Sequence, residues 1–243
     1  MMSKLWMLLA SCLSSLCLAA PPLQINTEDS PPFNMLVDGQ ITGSATAKIR
    51  ALMHMAKLAY KIELMPWRRA YEDALRRDHT CVYSTTRTPE RESLFKWVGP
   101  IAFNEWVLFG RSDSGIQLGK LEDARPYTIG AYNGDVRESY LRAREFKVET
   151  AVADAINPRK LMLGRIDLWV SGRYDGHVLI SQGGYQGKIV PLLNFYRSEL
   201  YLACNPQLDE QLIDRLNVLL AVMHRDGTIT AIDEQYRNWP GPP

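Results

Sequence analysis

Apolar runs of strand length alternate with amphipathic stretches of helical length along most of this chain, and that alternation limits the fold more than any other feature. The run LQIN at residues 23–26 leads into the turn EDSPPF, after which Ile49, Leu52, Met53, Ala56 and Tyr60 recur at spacings of three and four. That spacing predicts a helix with one buried face. A strand KIELM, a helix carrying Trp67, Ala70, Tyr71, Ala74 and Leu75, and a strand CVYS follow, giving β-α-β-α-β. Such an order is that of a mainly parallel sheet with helices on its faces. Beyond Pro100, EWVLF reads as an extended crossing, and the rhythm then restarts: YTIGA, a turn at Asn133-Gly134, a helix over 137–145, FKVET, a helix near 160–163, IDLWV and KIVPLL. LYLAC is a further strand. The helix after Pro206 lines up Leu212, Leu216, Leu219, Leu220 and Met223 before Gly227, and a short helix over 229–236 closes the chain.

The first residues, MMSKLWMLLASCLSSLCLAAPP, place one lysine before an apolar run that ends in alanines. This pattern predicts a signal peptide over 1–20, cut after Ala19 or Ala20, with Leu9-Ala10-Ser11-Cys12 as a second, lipoprotein-type reading. No later run is apolar for long enough to cross a bilayer. Charge is balanced, 28 basic against 27 acidic residues with only Lys4 in the leader, so neither nucleic acid nor a membrane surface is indicated as a partner. After removal of Cys12 and Cys17, Cys81 and Cys204 remain to meet an oxidising compartment. One bridge or two buried thiols both fit that count. A mature chain of about 220 residues allows one large domain or two small ones.

Several chemistries lack their residues. His54, His79, His177 and His224 are scattered, none at i, i+4 spacing and none beside a cysteine pair, so no metal site is indicated. There is no G-x-S-x-G turn, no P-loop and no dinucleotide glycine fingerprint, and no cofactor is implied. Acid-base catalysis by scattered carboxylates stays open.

The stretch TTRTPERESLFKWVGP at residues 85–100 gathers hydroxyls, arginines and aromatics around one turn. Thr88-Pro89-Glu90-Arg91 with Phe95 and Pro100, together with Pro31-Pro32-Phe33, Gly164-Arg165-Ile166-Asp167 and Asp226-Gly227-Thr228, resembles the bacterial family 3 extracellular solute-binding proteins over the whole mature chain. The resemblance implies an α/β, two-lobed periplasmic-binding-protein fold of type II, each lobe a mainly parallel sheet flanked by helices. Lobe 1 would comprise 21–108 plus 196–243 and lobe 2 would comprise 109–195, with a solute bound in the cleft between them. It also implies a periplasmic monomer that hands a small polar solute to an ABC permease or another membrane partner.

By the same resemblance Arg91 presents its planar fork to a ligand carboxylate, with Ser84, Thr86 and Thr88 beside it and Trp67 packing a ring on the ligand. Without the motif, Arg91 would read as a surface partner of Glu90 or Glu92, and Trp67 as a core residue at a helix start. Arg87 stands where the family usually has an apolar residue and is a further cleft candidate. Three departures bear on the ligand. Ser30 replaces an aromatic, Gly172, followed by Arg173, replaces the acid that grips an α-ammonium, and Asp135, next to Tyr132, replaces a carboxylate-binding hydroxyl. Glu28 or Asp135 would then have to take an amine. The resemblance further sets LYLAC antiparallel to CVYS, which implies a Cys81–Cys204 disulfide remote from the cleft. Two other function classes remain beside transport: a cleft enzyme resembling cyclohexadienyl dehydratase, with Glu28, Asp135 or Asp154 as its acid, and a ligand-binding module for a separate membrane sensor.

Overall fold

The computed structural model describes residues 21–236; the leader reading and Cys12 and Cys17 lie outside the described residues. An eight-stranded sheet runs through the molecule in the order β4-β1-β5-β10-β6-β9-β7-β8. Its first three strands are β1 (Leu23–Thr27), β4 (Tyr60–Leu64) and β5 (Thr80–Thr86), with β1 parallel to both neighbours. At the opposite edge β7 (Thr128–Tyr132) is parallel to β8 (Lys147–Ala151) and β9 (Leu168–Gly172). Joining the two groups are β6 (Lys96–Arg111) and β10 (Ile189–Cys204), each 16 residues long and mutually antiparallel. The two runs KIVPLL and LYLAC are therefore one strand, interrupted by three register shifts against β6. A two-stranded hairpin, β2 (Met35–Val37) with β3 (Gln40–Thr42), follows the first turn.

Helices cover the sheet where the periodicity places them. In α1 (Ser44–Met55) the residues Ile49, Leu52 and Met53 are fully buried, and the helix stops before Tyr60, which opens β4. Tyr60 continues the helical spacing only by coincidence: Lys57, at φ 51, has already turned the chain. Then come α2 (Trp67–Arg76), α3 (Val136–Arg142), α4 (Asn157–Met162), α5 (Arg173–Gln182), α6 (Glu210–Arg225) and α7 (Thr228–Tyr236). Asp209 caps α6, its carboxylate accepting from the Gln211 N–H, and Ile213, Leu216, Leu220 and Met223 form the buried stripe, with Leu212 and Leu219 at its margin.

The apolar interior follows the two strand groups. Residues of β1, β5, α1 and α6 share one cluster, while Leu108, Ile129, Leu141, Leu168 and Val170 anchor another around β7 and β9. In the first group β10 pairs antiparallel with β5 in a register that sets Cys204 opposite Cys81, and the two are joined in a disulfide. The β5–β10 ladder shifts register where Tyr83 and Ser84 face Leu202, and Ser84 takes φ 60. A local bulge of this kind re-aims a side chain, and here it turns Ser84 toward the space beyond the strand ends.

Candidate functional site

Beyond the C-terminal ends of β1, β5 and β7, where open α/β sheets collect ligands, lies a cavity of about 420 Å³ lined from both strand groups. The first group contributes Glu28 and Ser30 from the loop after β1, Trp67 at the start of α2, Ser84 and Thr86 from β5, and Arg91. From the other side come Tyr132, Asp135 and Arg137, then Asp154, and Asp175 of α5. The two sides touch around this space. Ser30 Oγ donates to Asp175 Oδ1 at 2.7 Å, Trp67 Nε1 to the Gly134 carbonyl at 3.4 Å, and Phe33 meets Tyr174 edge to face at 5.9 Å.

Arg91 sits in the 3-10 turn Pro89–Leu94 that follows β5. Its Nη1 donates to the Thr86 carbonyl at 3.3 Å, and its guanidinium lies over the rings of Tyr71 and Trp67, at 5.0 and 5.9 Å. Neither Glu90 nor Glu92 pairs with it: Glu92 is taken by Arg87, and the Glu90 carboxyl bonds Thr88. Burial pulls its pKa down, with Tyr71, Asp135 and Glu90 only partly opposing that shift. A desolvated guanidinium on an aromatic floor, facing a cavity, favours an anion.

Of the residues singled out from the sequence, Arg91, Thr86, Trp67, Ser84, Glu28, Tyr132 and Asp135 line the cavity. Arg87, Thr88 and Arg173 do not. Arg87 forks onto Glu92 and stacks over Trp97 and Tyr201, Arg173 pairs with Glu105, and Thr88 precedes the turn that carries Arg91, its carbonyl accepting from the Arg91 N–H. Sequence reasoning missed Arg137 and Asp175 as site residues, and it held Asp154 only as a possible acid.

Arg137 is the second cation of the site. Its Nε and Nη2 donate to the two Asp135 oxygens at 2.7 and 2.9 Å, and the Asp135 carboxylate also accepts from the Arg137 backbone N–H, capping α3. Burial works against charge on Asp135, but the adjoining guanidinium outweighs it and holds that carboxyl below its ordinary range. The remaining carboxyls go the other way. Glu28 is raised well above its ordinary value by burial and then by Asp135 and Asp175. Asp175 is raised by burial against the pull of Arg137 and Ser30, and Asp154 is raised by burial even though Asn157, Trp169 and Ser171 donate to it. Beside them the Tyr132 hydroxyl is pushed up to about 12, by burial first and then by Glu28 and Asp135.

A pH dependence follows for the ligand-free protein. A carboxyl raised on folding adds stability that is complete below its unfolded pKa and is lost as pH rises through the folded value. Glu28 starts from 4.5 and Asp175 and Asp154 from 3.8, so the melting temperature is expected to fall as pH rises from about 4 into the neutral range. Calorimetry across that range checks this, and Glu28→Gln is expected to flatten the slope.

Among the described residues no group of three His, Cys, Asp or Glu could hold a metal ion, and no helix is long and apolar enough to cross a membrane. Solved structures share the fold of this chain. A histidine kinase sensor domain with similarity to periplasmic binding proteins superimposes with a TM-score of 0.80 at 19% identity, over 89% of this chain and 96% of that one. A mutant arginine-binding protein from T. maritima follows at 0.75 and 18%, over 88% and 94%, and an arginine-, lysine-, histidine-binding protein from Geobacillus stearothermophilus at 0.74 and 16%, over 92% and 97%. At these identities the likeness is one of fold, that of the type II periplasmic binding proteins. No curated protein matches the sequence. The sequence profile of the bacterial extracellular solute-binding proteins, family 3, matches residues 23–238, and the chain belongs to that family.

Proposed function

We propose that the protein is a periplasmic receptor that captures a small polar, carboxylate-bearing, amino-acid-like solute and presents it to an ABC importer. The observation that carries this reading is Arg91: a half-buried guanidinium, set on two aromatic rings, that faces the cavity without a carboxylate partner from the described residues. A ligand carboxylate would supply that partner, with the Thr86 hydroxyl alongside, while the Ser84 hydroxyl donates to Asn34 Oδ1. The two lobes, 21–108 plus 196–243 and 109–195, would close on the solute by bending where β6 and β10 cross. Solved relatives of the same fold that bind arginine, lysine or histidine support an amino-acid-like ligand.

A second reading has its own support. The sensor domain superimposes at 0.80, against 0.74 to 0.75 for the arginine-binding structures, which favours a membrane sensor as the alternative partner. Both partners would read the same closed cleft.

A thermal-shift screen against amino acids, polyamines, organic acids and prephenate tests the receptor reading, because a ligand that binds only the native state raises the melting temperature by mass action. A stabilising compound recovered unchanged after hours is the expected result. Consumption of the compound would instead put the raised carboxyls Glu28 and Asp154 to work as acids and overturn the receptor reading in favour of an enzyme.

A further inference from the structure

Two contacts join the loop after β1 directly to the first turn of α5. Ser30 Oγ donates to Asp175 Oδ1 at 2.7 Å, and the rings of Phe33 and Tyr174 meet edge to face with their centroids 5.9 Å apart. Residues 30 and 33 extend from the first strand group and residues 174 and 175 from the second, so neighbouring side chains on one side hold neighbouring side chains on the other. Ser30 and Asp175 line the cavity, but Phe33 and Tyr174 stay outside its lining, and holding a solute does not account for their contact. Phe33 is buried, whereas Tyr174 is 46% exposed and leans on it from α5.

Each half of this junction is built on fixed backbone. The loop folds back on itself: the Ser30 N–H donates to the Asn34 carbonyl at 2.7 Å, and the Phe33 and Asn34 N–H groups donate to the Ser30 carbonyl at 3.0 and 3.1 Å. It also receives the start of α1, where the Pro32 and Phe33 carbonyls accept from the Ser44 and Ala45 N–H groups at 2.9 Å. On the other side α5 lies close against the sheet. A Cβ on Gly176 would stand 2.5 Å from the Phe109 ring, and one on Gly172 would stand 2.4 Å from Asp175 Oδ2. Glycine at these two positions lets the helix approach β6 and leaves room for the Asp175 carboxyl over β9. Arg173 adds an ion pair to Glu105 of β6. Side chains held ready on both sides meet at little cost in freedom.

We propose that Ser30 with Asp175 and Phe33 with Tyr174 form a clasp that keeps the two strand groups together in the solute-free protein. The clasp rests on the bending at β6 and β10 proposed above, but not on Arg91 or on which solute is held, because its contacts are between protein groups alone. A hydrogen bond to an acidic side chain and an edge-to-face ring pair together favour the joined arrangement by about a factor of ten or more. The solute then enters through infrequent openings, and the rate at which the clasp parts limits the rate of binding.

The test reads the separation of the two strand groups in solute-free protein by double electron–electron resonance. Spin labels are placed on Val218→Cys of α6 and Val152→Cys after β8, two exposed positions outside these contacts, while Cys81 and Cys204 are joined and take no label. The labelled protein is expected to show one short distance. Ser30→Ala combined with Tyr174→Ala is expected to add a longer one, the ratio of joined to parted molecules falling about tenfold or more, with each single substitution moving it part of the way. Tyr174→Phe keeps the ring and is expected to match the unsubstituted protein. A merely structural role would lower the melting temperature and leave the distance unchanged. Long distances in the unsubstituted protein, or a single short distance that persists in the combined variant, would overturn the clasp. Both results leave Arg91 untouched, since neither involves a ligand.

Discussion

Replacing both members of the bridge, Cys81→Ala with Cys204→Ala, is expected to lower the stability of the protein by about 5 kcal/mol, the largest effect of any change considered. The bridge closes a loop with a sequence separation of 123 residues, and loop-closure entropy gives about that figure for such a loop. For a chain of this size the melting temperature would fall by about 10 °C or more. Both cysteines are fully buried between β5 and β10, and the wide loop they close includes the whole second strand group. The double variant leaves no unpaired thiol, so calorimetry reads the bridge and not thiol chemistry. A loss below about 1 kcal/mol would mean that the unfolded chain is already compact without the bridge.

Arg137→Met is expected to cost about 3–5 kcal/mol at neutral pH, as breaking a buried pair does when one charge is left behind. Both side chains of the pair are only 11% exposed, so solvent screens little of the effect. The sign of the pH dependence should also change. In the wild type Asp135 is depressed, so its contribution is present above the unfolded value of 3.8 and is lost as pH falls through the lower folded value. Without the Arg137 guanidinium, burial is opposed only by the backbone N–H of residue 137 and by Arg91, and Asp135 is expected to rise. Its contribution then becomes a penalty that grows as pH rises, in step with Glu28, Asp154 and Asp175. Urea unfolding at pH 4 and pH 8 separates the cases: the variant should approach wild type at the lower pH and fall far below it at the higher. Equal losses at both would show that Arg137 acts through packing.

The strands and helices were legible where packing follows a simple period, as in β1, α1, α6 and β9. The residues alone left Cys81 and Cys204 as a bridge or two buried thiols; the family resemblance implied the antiparallel pairing of LYLAC with CVYS, and the ladder sets the two cysteines opposite each other. What escaped the sequence did so for physical reasons. The middle of β10 alternates half-buried and exposed residues as it crosses between the strand groups, and its register shifts break the alternation that marks a strand. Helix α5 buries only Gly176 and Ile180, too few for a helical period to show. Asp175 therefore stood on no recognised element, and its approach to Ser30, 145 residues away in sequence, is set by tertiary structure alone. Arg87 and Arg173 looked like cleft residues by neighbourhood, yet Glu92 and Glu105 hold them elsewhere. Arg137 was placed on a helix, but nothing local shows that its fork closes on Asp135.

The central claim is that Arg91 holds the anionic end of the solute. Calorimetric titration of wild type and Arg91→Lys with a compound that stabilises the wild type tests it most directly, since Lys keeps the charge and loses the planar fork. A loss of affinity of about tenfold or more, with the melting temperature of the ligand-free protein little changed, is the result predicted for bidentate recognition. Unchanged affinity in Arg91→Lys, and again in Arg91→Ala, would contradict it and place the anion elsewhere in the cleft.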